Sequence, residues 1–458
     1  MNSTKKKKKQ TSASIYQVVW KWHFYAGIIS APFLFILAFS GSVYLFKPQI
    51  EAFLYQDYFV VDQVAEDRVS FSAQRNQVKE SYPDASISSF VLKDEPDATT
   101  EFLISEDGES ASVFVNPYTG DIQGKLADDN RLMTIFKKIH SELWIAGTIG
   151  NRIVELVACW AIILLITGLY IWWPRNRASI WGTILPRLRK KGRLFWRDMH
   201  AVPAFWLSIF ILILIATGLP WSGVLGQQIQ KLSTAPDHSY AWQERPESIT
   251  LTKDAADGIP WANENLEMPE SEFESEYLPI SIEDVTHIAE MESMAYPYTL
   301  SLPDGPTGVY TISHETNRLD LSTKHIDQYS GTVLVSRSFQ DFDFIPKLVS
   351  AGIALHEGRL FGWPNQLLGL ITCLGLMGIV VSSFILWKKR KPNGKLGAPP
   401  GSKDKKVTRA VFFIMLGFGI ILPLVGLSII IIYLLDRFIF SKFSWFSSKE
   451  DIRTKRTG

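Results

Sequence analysis

The chain has 458 residues, 47% of them hydrophobic, and its formal net charge at pH 7 is +1. Its apolar residues gather into blocks of about 20 or more, the length that crosses a hydrocarbon core of about 30 Å. This composition excludes an ordinary soluble protein, and the near-zero charge gives no reason to expect a nucleic-acid partner. The only two cysteines, Cys159 and Cys373, fall inside apolar blocks, so we expect buried small residues and no outer disulfides.

Five segments are apolar enough to be spans in a lipid bilayer. We place them at 16–46, 151–173, 202–221, 364–387 and 411–435. Lysine and arginine concentrate in 1–15, 174–201 and 388–410, so the positive-inside rule places these stretches in the cytoplasm. The acidic segments 47–150 and 222–363 are then expected outside. The first span is too long for the h-region of a signal peptide, so we expect a retained anchor.

The fifth apolar segment, 411–435, raises a conflict of topology. A full crossing would put the tail, 436–458, outside, although that tail is basic and the positive-inside rule favours the cytoplasm. Pro423 and Gly426 lie within the segment and are compatible with a broken or re-entrant element. The sequence therefore leaves the topology of this segment open.

Each outer segment is predicted to fold as a small α+β domain. The first has one helical stretch followed by strand-like stretches, at 71–82, 86–92, 101–105 and 111–115. The second repeats this order with a helical and a strand-like stretch, at 282–294 and 298–302. The turns Asn116-Pro-Tyr-Thr-Gly120 and Asp327-Gln-Tyr-Ser-Gly331 close the two predicted domains.

Four histidines occupy matched positions in two halves of the chain, 16–177 and 196–390. One opens the first span of each half and one follows each outer domain; they are His23 and His200, and His140 and His356. We interpret the halves as parallel tandem repeats related by an axis along the membrane normal. The predicted fold is therefore an α-helical multi-span membrane protein with two small α+β extracytoplasmic domains.

The two histidines of each matched pair share a depth, because their spans run in the same direction. His23 and His200 lie near the cytoplasm, and the other two lie near the outer surface, about 30 Å away. Neutral imidazole is a common axial donor to haem iron, and a macrocycle between two helices needs one donor from each side. The sequence therefore predicts two b-type haems, with iron bound by His23, His200, His140 and His356.

Residues near these histidines are compatible with such a macrocycle. Gly27 and Ala204, each four positions after a histidine, leave space on the same helix face. Nearby cations are expected to meet the propionates: Lys21, Arg197, Arg152 and Arg359. Covalent attachment is excluded because the sequence lacks Cys-x-x-Cys-His. Zinc fits less well, since there is neither a His-Glu-x-x-His motif nor a thiolate cluster.

Several motifs resemble the PepSY-associated transmembrane family, often described as iron-regulated inner-membrane proteins. The similarity covers most of 16–390 and rests on His23…Ser40-Gly41, Asn116-Pro-Tyr-Thr-Gly120, Thr167-Gly-Leu-Tyr-Ile-Trp-Trp-Pro-Arg175 and His200…Thr217-Gly-Leu-Pro-Trp221. Ser382-Ser383 departs from the family pattern, which favours a glycine there. The resemblance implies PepSY-like periplasmic domains and, as in related haem-containing siderophore reductases, electron delivery to ferric chelates.

The expected function is therefore that of an inner-membrane haem protein that reduces ferric iron in siderophores or other chelates. No Rossmann or Walker motif is present, so electrons would come from a cytoplasmic reductase, a reduced flavin or a quinol. Two alternatives remain open: a PepSY-type membrane protein that binds peptides or regulates a peptidase, and an iron-uptake transporter component. The sequence identifies no catalytic residue.

Two further groups of outer residues receive expected roles. Aromatic side chains are expected to form or flank the substrate surface: Tyr118, Trp144, Trp242, Tyr329, Phe361 and Trp363. The remaining histidines lack the spacing of ligands and are expected to have ordinary solvated or surface roles: His238, His287, His314 and His325.

Overall fold

The computed structural model describes residues 2–145, 147–174, 180–234, 248–273, 278–315, 319–390, 398–399, 402 and 404–438. The predicted positions Trp242 and His238, and the tail after Phe438, lie outside the described residues. The chain divides into two compact units. The first, here the helical unit, is drawn from Met1–Ala38, Ser141–Leu225 and Leu374–Gly458; the second, here the sheet unit, is drawn from Phe39–His140 and Gly226–Cys373.

The secondary structure is mainly helical. The α-helices are α1 (Asn2–Tyr44), α2 (Lys47–Leu54), α3 (Gln56–Phe59), α4 (Phe71–Ser81), α5 (Leu132–Glu142), α6 (Thr148–Trp172), α7 (Arg193–Gly218), α8 (Leu225–Ser233), α9 (Thr252–Ala255), α10 (Ile282–Met291), α11 (Phe344–His356), α12 (Trp363–Arg390), α13 (Lys405–Ile421) and α14 (Pro423–Phe438). The strands are β1 (Ser86–Leu92), β2 (Thr100–Glu106), β3 (Glu109–Val115), β4 (Ile122–Ala127), β5 (Tyr298–Ser301), β6 (Val309–Glu315), β7 (Leu321–Asp327) and β8 (Val333–Ser338).

Four of the described helical segments are long and apolar enough to cross a membrane. They are Ser14–Tyr44, Thr148–Trp172, Arg193–Trp221 and Trp363–Arg390, and each overlaps a predicted span. An α-helix suits this environment because it satisfies its own backbone hydrogen bonds. The third segment begins earlier than predicted and includes His200, which the sequence placed in the loop 174–201. No proline interrupts α7 between its start at Arg193 and Pro203, so the helix extends through the basic stretch.

The fifth predicted span, 411–435, is not a single helix. It is divided between α13 and α14, with Leu422 between them. The chain reverses there, because a Cβ atom built on Gly419 would lie 2.4 Å from the Cα atom of Gly426. The rings of Phe412 and Tyr433 also lie 5.7 Å apart, although a continuous helix would separate them by about 30 Å. Pro423 begins the second arm, and this helical hairpin packs against α6.

Replacing Gly426 by valine is expected to disrupt this hairpin. The backbones of α13 and α14 approach so closely at Gly419 and Gly426 that a side chain has no space, and overpacking of this kind costs about 1–3 kcal/mol. Thermal unfolding in detergent, followed by circular dichroism, should show a lower midpoint. Gly417→Val is the matched control, because a Cβ atom at Gly417 meets nothing within 4 Å. Equal midpoints for the two variants would contradict the close approach.

The sheet unit contains one continuous eight-stranded antiparallel sheet with the order β4-β3-β2-β1-β5-β6-β7-β8. Its two halves come from the two outer segments and join where β1 pairs with β5, with Phe90 opposite Leu300. The prediction of two separate α+β domains is therefore wrong in this respect. Pairing β1 with β5 removes two exposed strand edges, which isolated four-stranded sheets would leave open.

The two faces of this sheet differ in polarity. One face is apolar and packs on α4 and α10 through buried residues such as Phe90, Phe102, Ile312, Val78 and Val285. The other face carries serine, threonine and histidine and is covered by residues 248–273. In this cover, Asp257 accepts hydrogen bonds from Ser88 and Ser89, at 2.8 and 2.7 Å. Asn263 donates to Thr323 at 2.9 Å.

Two histidines that were expected at the surface are buried in the sheet. His314 and His325 are each 1% exposed, because β6 and β7 are interior strands covered on both faces. The Nδ1 atom of His314 lies 2.7 Å from the carbonyl oxygen of Pro297, and that of His325 lies 2.9 Å from the hydroxyl of Thr311. Of the histidines in this group that the structure describes, only His287 has the expected exposed position, beside Glu290 on α10.

His325 is expected to make the stability of the sheet unit depend on pH. Burial, together with the nearby charge of Arg337, lowers the pKa of His325 to about 3. The unfolded chain has a pKa of about 6.5 at this position, so the stabilising contribution is complete above pH 6.5 and is lost as the pH falls towards 3. Thermal unfolding should show a steeper loss of stability below pH 6.5 in the parent than in His325→Asn, by about 1.4 kcal/mol per pH unit. Identical slopes would contradict the burial of neutral His325.

Candidate functional site: two histidine pairs

The first pair of predicted ligands comes together inside the helical unit. His23 lies on α1 and His200 on α7, and their ring centres are 6.5 Å apart at an interplanar angle of 74°. Both side chains are half-buried. Residues 177 positions apart in the sequence are thus brought within reach of one ligand by two apolar helices.

Hydrogen bonds fix which nitrogen of these two rings carries the proton. The hydroxyl of Thr167 donates to the carbonyl oxygen of Ile163 at 2.7 Å, so it accepts from Nδ1 of His23 at 2.9 Å. Nδ1 of His200 lies 3.0 Å from the carbonyl oxygen of Ile379, which can only accept. Each Nδ1 therefore bears hydrogen, and the lone pair on each Nε2 remains for a metal ion.

The second pair comes together inside the sheet unit. His140 lies near the end of α5, and His356 is the last residue of α11. Their ring centres are 6.1 Å apart at an interplanar angle of 62°. The hydroxyl of Ser40, on α1, lies 3.2 Å from Nδ1 of His140. Both predicted pairs are therefore present in the structure, each within one compact unit.

A glycine packs directly against one histidine ring of each pair. A Cβ atom built on Gly168 would lie 3.2 Å from Cε1 of His23, and one on Gly41 would lie 3.0 Å from Cε1 of His140. These distances are shorter than ordinary van der Waals contacts. The dipeptides Thr167-Gly168 and Ser40-Gly41 therefore each place a hydroxyl on one imidazole nitrogen and an open backbone against the ring.

The separation of the rings suits two axial ligands of one metal ion. A histidine nitrogen lies about 2.0 Å from a bound metal ion, and the ring centre lies about 1.1 Å behind that nitrogen. Two imidazole ligands on opposite sides of an ion thus have ring centres about 6 Å apart. Two imidazole ligands in a tetrahedral arrangement have ring centres about 5 Å apart. The observed 6.5 and 6.1 Å are compatible with the first arrangement, and they also lie within the range of ordinary edge-to-face ring contacts.

The donor set of each pair consists of two imidazoles. Within the described ranges, no group of three or more histidine, cysteine, aspartate or glutamate side chains is placed to hold a metal ion. Structural zinc normally takes four protein ligands, whereas a porphyrin supplies four nitrogens and needs two axial donors. Two histidines per site are therefore sufficient for haem, and each pair fits that group.

The four cations that were expected to bind haem propionates already contact other side chains of the protein. Arg197 lies 2.9 Å from Asp198, and Arg152 lies 3.7 Å from Glu155. Arg359 pairs with Glu315 and Glu357. Lys21 is exposed and lies 5.9 Å from the ring centre of Tyr25. Three of these four cations are thus engaged by carboxylates, a feature that sequence spacing alone did not reveal.

Arg359 illustrates the balance of charge beside the second pair. Burial opposes its positive charge, but the carboxylates of Glu315 and Glu357 outweigh that effect and raise the pKa of the guanidinium. Arg359 follows His356 by three residues, and its backbone N–H closes the end of α11 on Ala354 at 2.9 Å. The ion pairs therefore hold the turn that follows the histidine.

The small residues that were expected to make room differ in their surroundings. Gly27 faces Leu164 of α6, at 3.7 Å from an added Cβ atom, which is an ordinary contact. Ala204 is half-buried in α7. The close approaches to the rings come instead from Gly168 and Gly41, described above.

The predicted outer aromatic residues separate into two groups. Tyr118 and Tyr329 donate their hydroxyls to the carbonyl oxygens of Pro96 and Pro306 and so help to hold turns of the sheet unit. Trp144, Phe361 and Trp363 are 59%, 68% and 67% exposed. Phe361 and Trp363 follow His356 closely in the chain, and the role of this second group at the substrate surface stays a prediction.

Sequence reasoning missed the role of Thr167 and Gly168. The Ser/Thr-Gly dipeptide recurs after His23 and His200, and Thr167-Gly168 belongs to one of the family-like motifs. A hydroxyl followed by a glycine within an apolar span was the available signal. Only the packing of α6 against α1 shows that Thr167-Gly168 contacts a histidine.

A family model described as the PepSY-associated TM region matches residues 20–390 of the chain. This range covers most of the sequence and contains all four paired histidines. A search of curated proteins gave no match. The family match and the four apolar helical segments identify a multi-pass membrane protein.

Proposed function

We propose that this chain, which belongs to the PepSY-associated transmembrane family, binds two b-type haems and passes electrons across the membrane to ferric chelates. The observation that carries the proposal is the formation of two separate histidine pairs at 6.5 and 6.1 Å. A binding protein or peptidase regulator has no need of such pairs in both units.

The residues of the chain prepare each pair to bind metal. Thr167 and the carbonyl of Ile379 fix the tautomers of His23 and His200, so that neither imidazole must reorganise on binding. A haem bound at each site would supply one-electron chemistry, with its iron alternating between the ferric and ferrous states.

We further propose that the two halves of the chain arose by duplication and that the protein lies in the inner membrane. The two chain halves share an order of elements. Each half contributes four strands, and in both halves the first strand lies at the centre of the sheet and the fourth at an edge. This symmetry supports a tandem duplication with PepSY-like outer parts. The positive-inside rule supports the inner membrane, with the sheet unit in the periplasm. The helical hairpin of α13 and α14 returns the chain to the side where α13 begins, which agrees with a basic cytoplasmic tail.

The reaction consists of single-electron steps. Ferric iron in a siderophore or another chelate takes one electron and becomes ferrous, and hard oxygen ligands hold the ferrous ion less strongly. A cytoplasmic reductase, a reduced flavin or a quinol supplies the electrons; a quinol or a fully reduced flavin gives two and releases protons, so each molecule reduces two ferric ions.

A vesicle assay tests the proposed function. Purified protein is reconstituted into liposomes that contain reduced flavin, and a ferric chelate with a ferrous-specific dye is supplied outside. We expect dye to form faster than in protein-free liposomes and to return to the protein-free rate in His23→Ala and His140→Ala. Equal rates in all four preparations would contradict transmembrane reduction.

A further inference from the structure

The described part of the loop between α6 and α7, here the interfacial loop (180–192), folds back against both helices. The indole of Trp172, at the end of α6, donates to the carbonyl oxygen of Thr183 at 3.1 Å. The indole of Trp206, on α7, donates to the carbonyl oxygen of Ile184 at 2.9 Å. Tryptophan side chains at the ends of spans concentrate where lipid tails meet headgroups. These two hydrogen bonds therefore hold the loop beside two membrane-spanning helices, at the level of that boundary.

A buried carboxylate holds the loop at a second point. Asp198, on α7, is 1% exposed and accepts from the guanidinium of Arg187 at 2.7 and 2.8 Å. It also accepts from the backbone N–H of Arg187 at 3.2 Å and from Arg197 at 2.9 Å. Asp198 is the only acidic residue in the sequence between 174 and 201. The single carboxylate of this region is therefore used inside the protein.

The interfacial loop exposes large apolar side chains. Ile180, Trp181 and Leu188 are 60%, 59% and 66% exposed, and two further apolar side chains, Ile184 and Leu185, are also exposed. The backbone N–H groups of Ile184 and Leu185 both bond to the carbonyl oxygen of Ile180, at 3.0 Å each. Several exposed apolar side chains in one short, locally bonded loop indicate a contact surface. The lipid bilayer is the apolar phase at this level.

Four exposed cations lie next to these apolar side chains: Arg189, Lys190, Lys191 and Arg193. Among the described residues, the ion pairs of this region are those of Arg187 and Arg197 with Asp198, and none of the four exposed cations pairs with a carboxylate. Lysine and arginine extend their apolar stems along apolar surface and place the charge at the headgroups. The loop therefore presents uncompensated positive charge at the position where lipid phosphates lie.

From this arrangement we infer that the interfacial loop lies among the headgroups of the adjacent leaflet and binds an anionic phospholipid. Its apolar side chains contact the acyl chains, and its four exposed cations contact the phosphates. A zwitterionic lipid carries an ammonium group beside each phosphate and balances these cations less well. A soluble anion would leave the apolar side chains in water. The inference goes beyond the proposed function, since it requires only a multi-pass membrane protein.

Energy transfer to labelled lipids tests the lipid class. Leu188→Cys carries a donor fluorophore, and the buried native Cys159 and Cys373 give the background labelling in the parent protein. The protein is reconstituted into phosphatidylcholine liposomes with a trace of phosphatidylglycerol or phosphatidylcholine that bears the acceptor on an acyl chain. At about 10 mM salt we expect the acceptor density around the donor to be about fivefold higher for phosphatidylglycerol. Equal transfer to both lipids would overturn the inference.

Double variants separate this loop from the general positive charge of the chain. Lys190→Gln with Lys191→Gln removes half of the exposed cations of the loop, and we expect it to lose most of the preference for phosphatidylglycerol. Lys405→Gln with Lys406→Gln is the matched control, because both side chains are exposed at the start of α13. It should keep the preference, as should Lys190→Arg with Lys191→Arg. Equal losses in the two glutamine variants would overturn the inference.

The depth of the loop in the bilayer tests its placement. A nitroxide is attached to Leu185→Cys or to Lys191→Cys, and power saturation is measured in liposomes with oxygen and with a water-soluble nickel complex. We expect the label at 185 to be reached mainly by oxygen and the label at 191 mainly by nickel. Equal access of nickel to both labels would overturn the inference. The measurement requires no haem, so a failure here is distinguishable from a failure of the proposed function.

Discussion

His200→Ala is expected to reduce the haem content from about two per chain to about one. The variant removes one ligand of the first pair, and His23 alone leaves one axial position without a protein donor. The second pair lies in the sheet unit and keeps both ligands, so half of the signal should remain. The pyridine haemochrome assay, with protein quantified by amino-acid analysis, gives the ratio.

His287→Ala is the matched control for this substitution. His287 is exposed on α10 and lies beside Glu290. We expect this variant to keep the full haem content. If His200→Ala also kept it, the assignment of His200 as a ligand would be wrong; a complete loss in His200→Ala would show that the two sites do not form independently.

Gly41→Val is expected to remove the second haem although both of its histidine ligands remain. A Cβ atom at this position lies 3.0 Å from Cε1 and 3.3 Å from Nδ1 of His140, and the branched side chain extends further towards the ring. His140 must then move from its position opposite His356 and away from the hydroxyl of Ser40. We expect about one haem per chain and the loss of one of two low-spin signals in electron paramagnetic resonance.

Gly378→Val provides the comparison for Gly41→Val, because it places the same side chain in another apolar helix. A Cβ atom at Gly378 meets nothing within 4 Å. Gly41→Ala adds a finer step, since the single carbon displaces the ring by only a few tenths of an ångström. We expect it to retain haem with a shifted midpoint potential. Normal spectra for Gly41→Val would contradict the packing of Gly41 against His140.

The spans and the histidine pairs were predictable because they depend on chain-wide patterns. The length of an apolar segment identifies a membrane span even when the helices that pack against it are unknown. The repeated order of elements placed His23 with His200 and His140 with His356, although each pair is far apart in the sequence. The repeated order of motifs therefore carried information about spatial neighbours that a single histidine does not carry.

The features that could not be predicted depend on which surfaces meet. The pairing of β1 with β5 requires knowledge that the two outer segments face each other along a strand edge. The burial of His314 and His325 follows from that sheet and from its cover, 248–273. The division of 411–435 was open in the sequence, and the contact of Gly419 with Gly426 decides it.

The partners of charged groups and hydroxyl groups near the histidine pairs could not be predicted from the sequence either. Arg197 was expected to meet a propionate, but Asp198, the next residue, takes its guanidinium. Thr167 belonged to a recognised motif, but its contact with His23 depends on how α6 lies against α1. Residue type suggested the chemistry of these groups, and packing determined their partners.

The most direct measurement is the visible absorption spectrum of the purified protein, oxidised and dithionite-reduced, with haem and iron quantified per chain. Sharp reduced bands of six-coordinate b-type haem are expected at about two haems per chain, one for each histidine pair. A colourless, iron-free protein from haem-replete cells would contradict it.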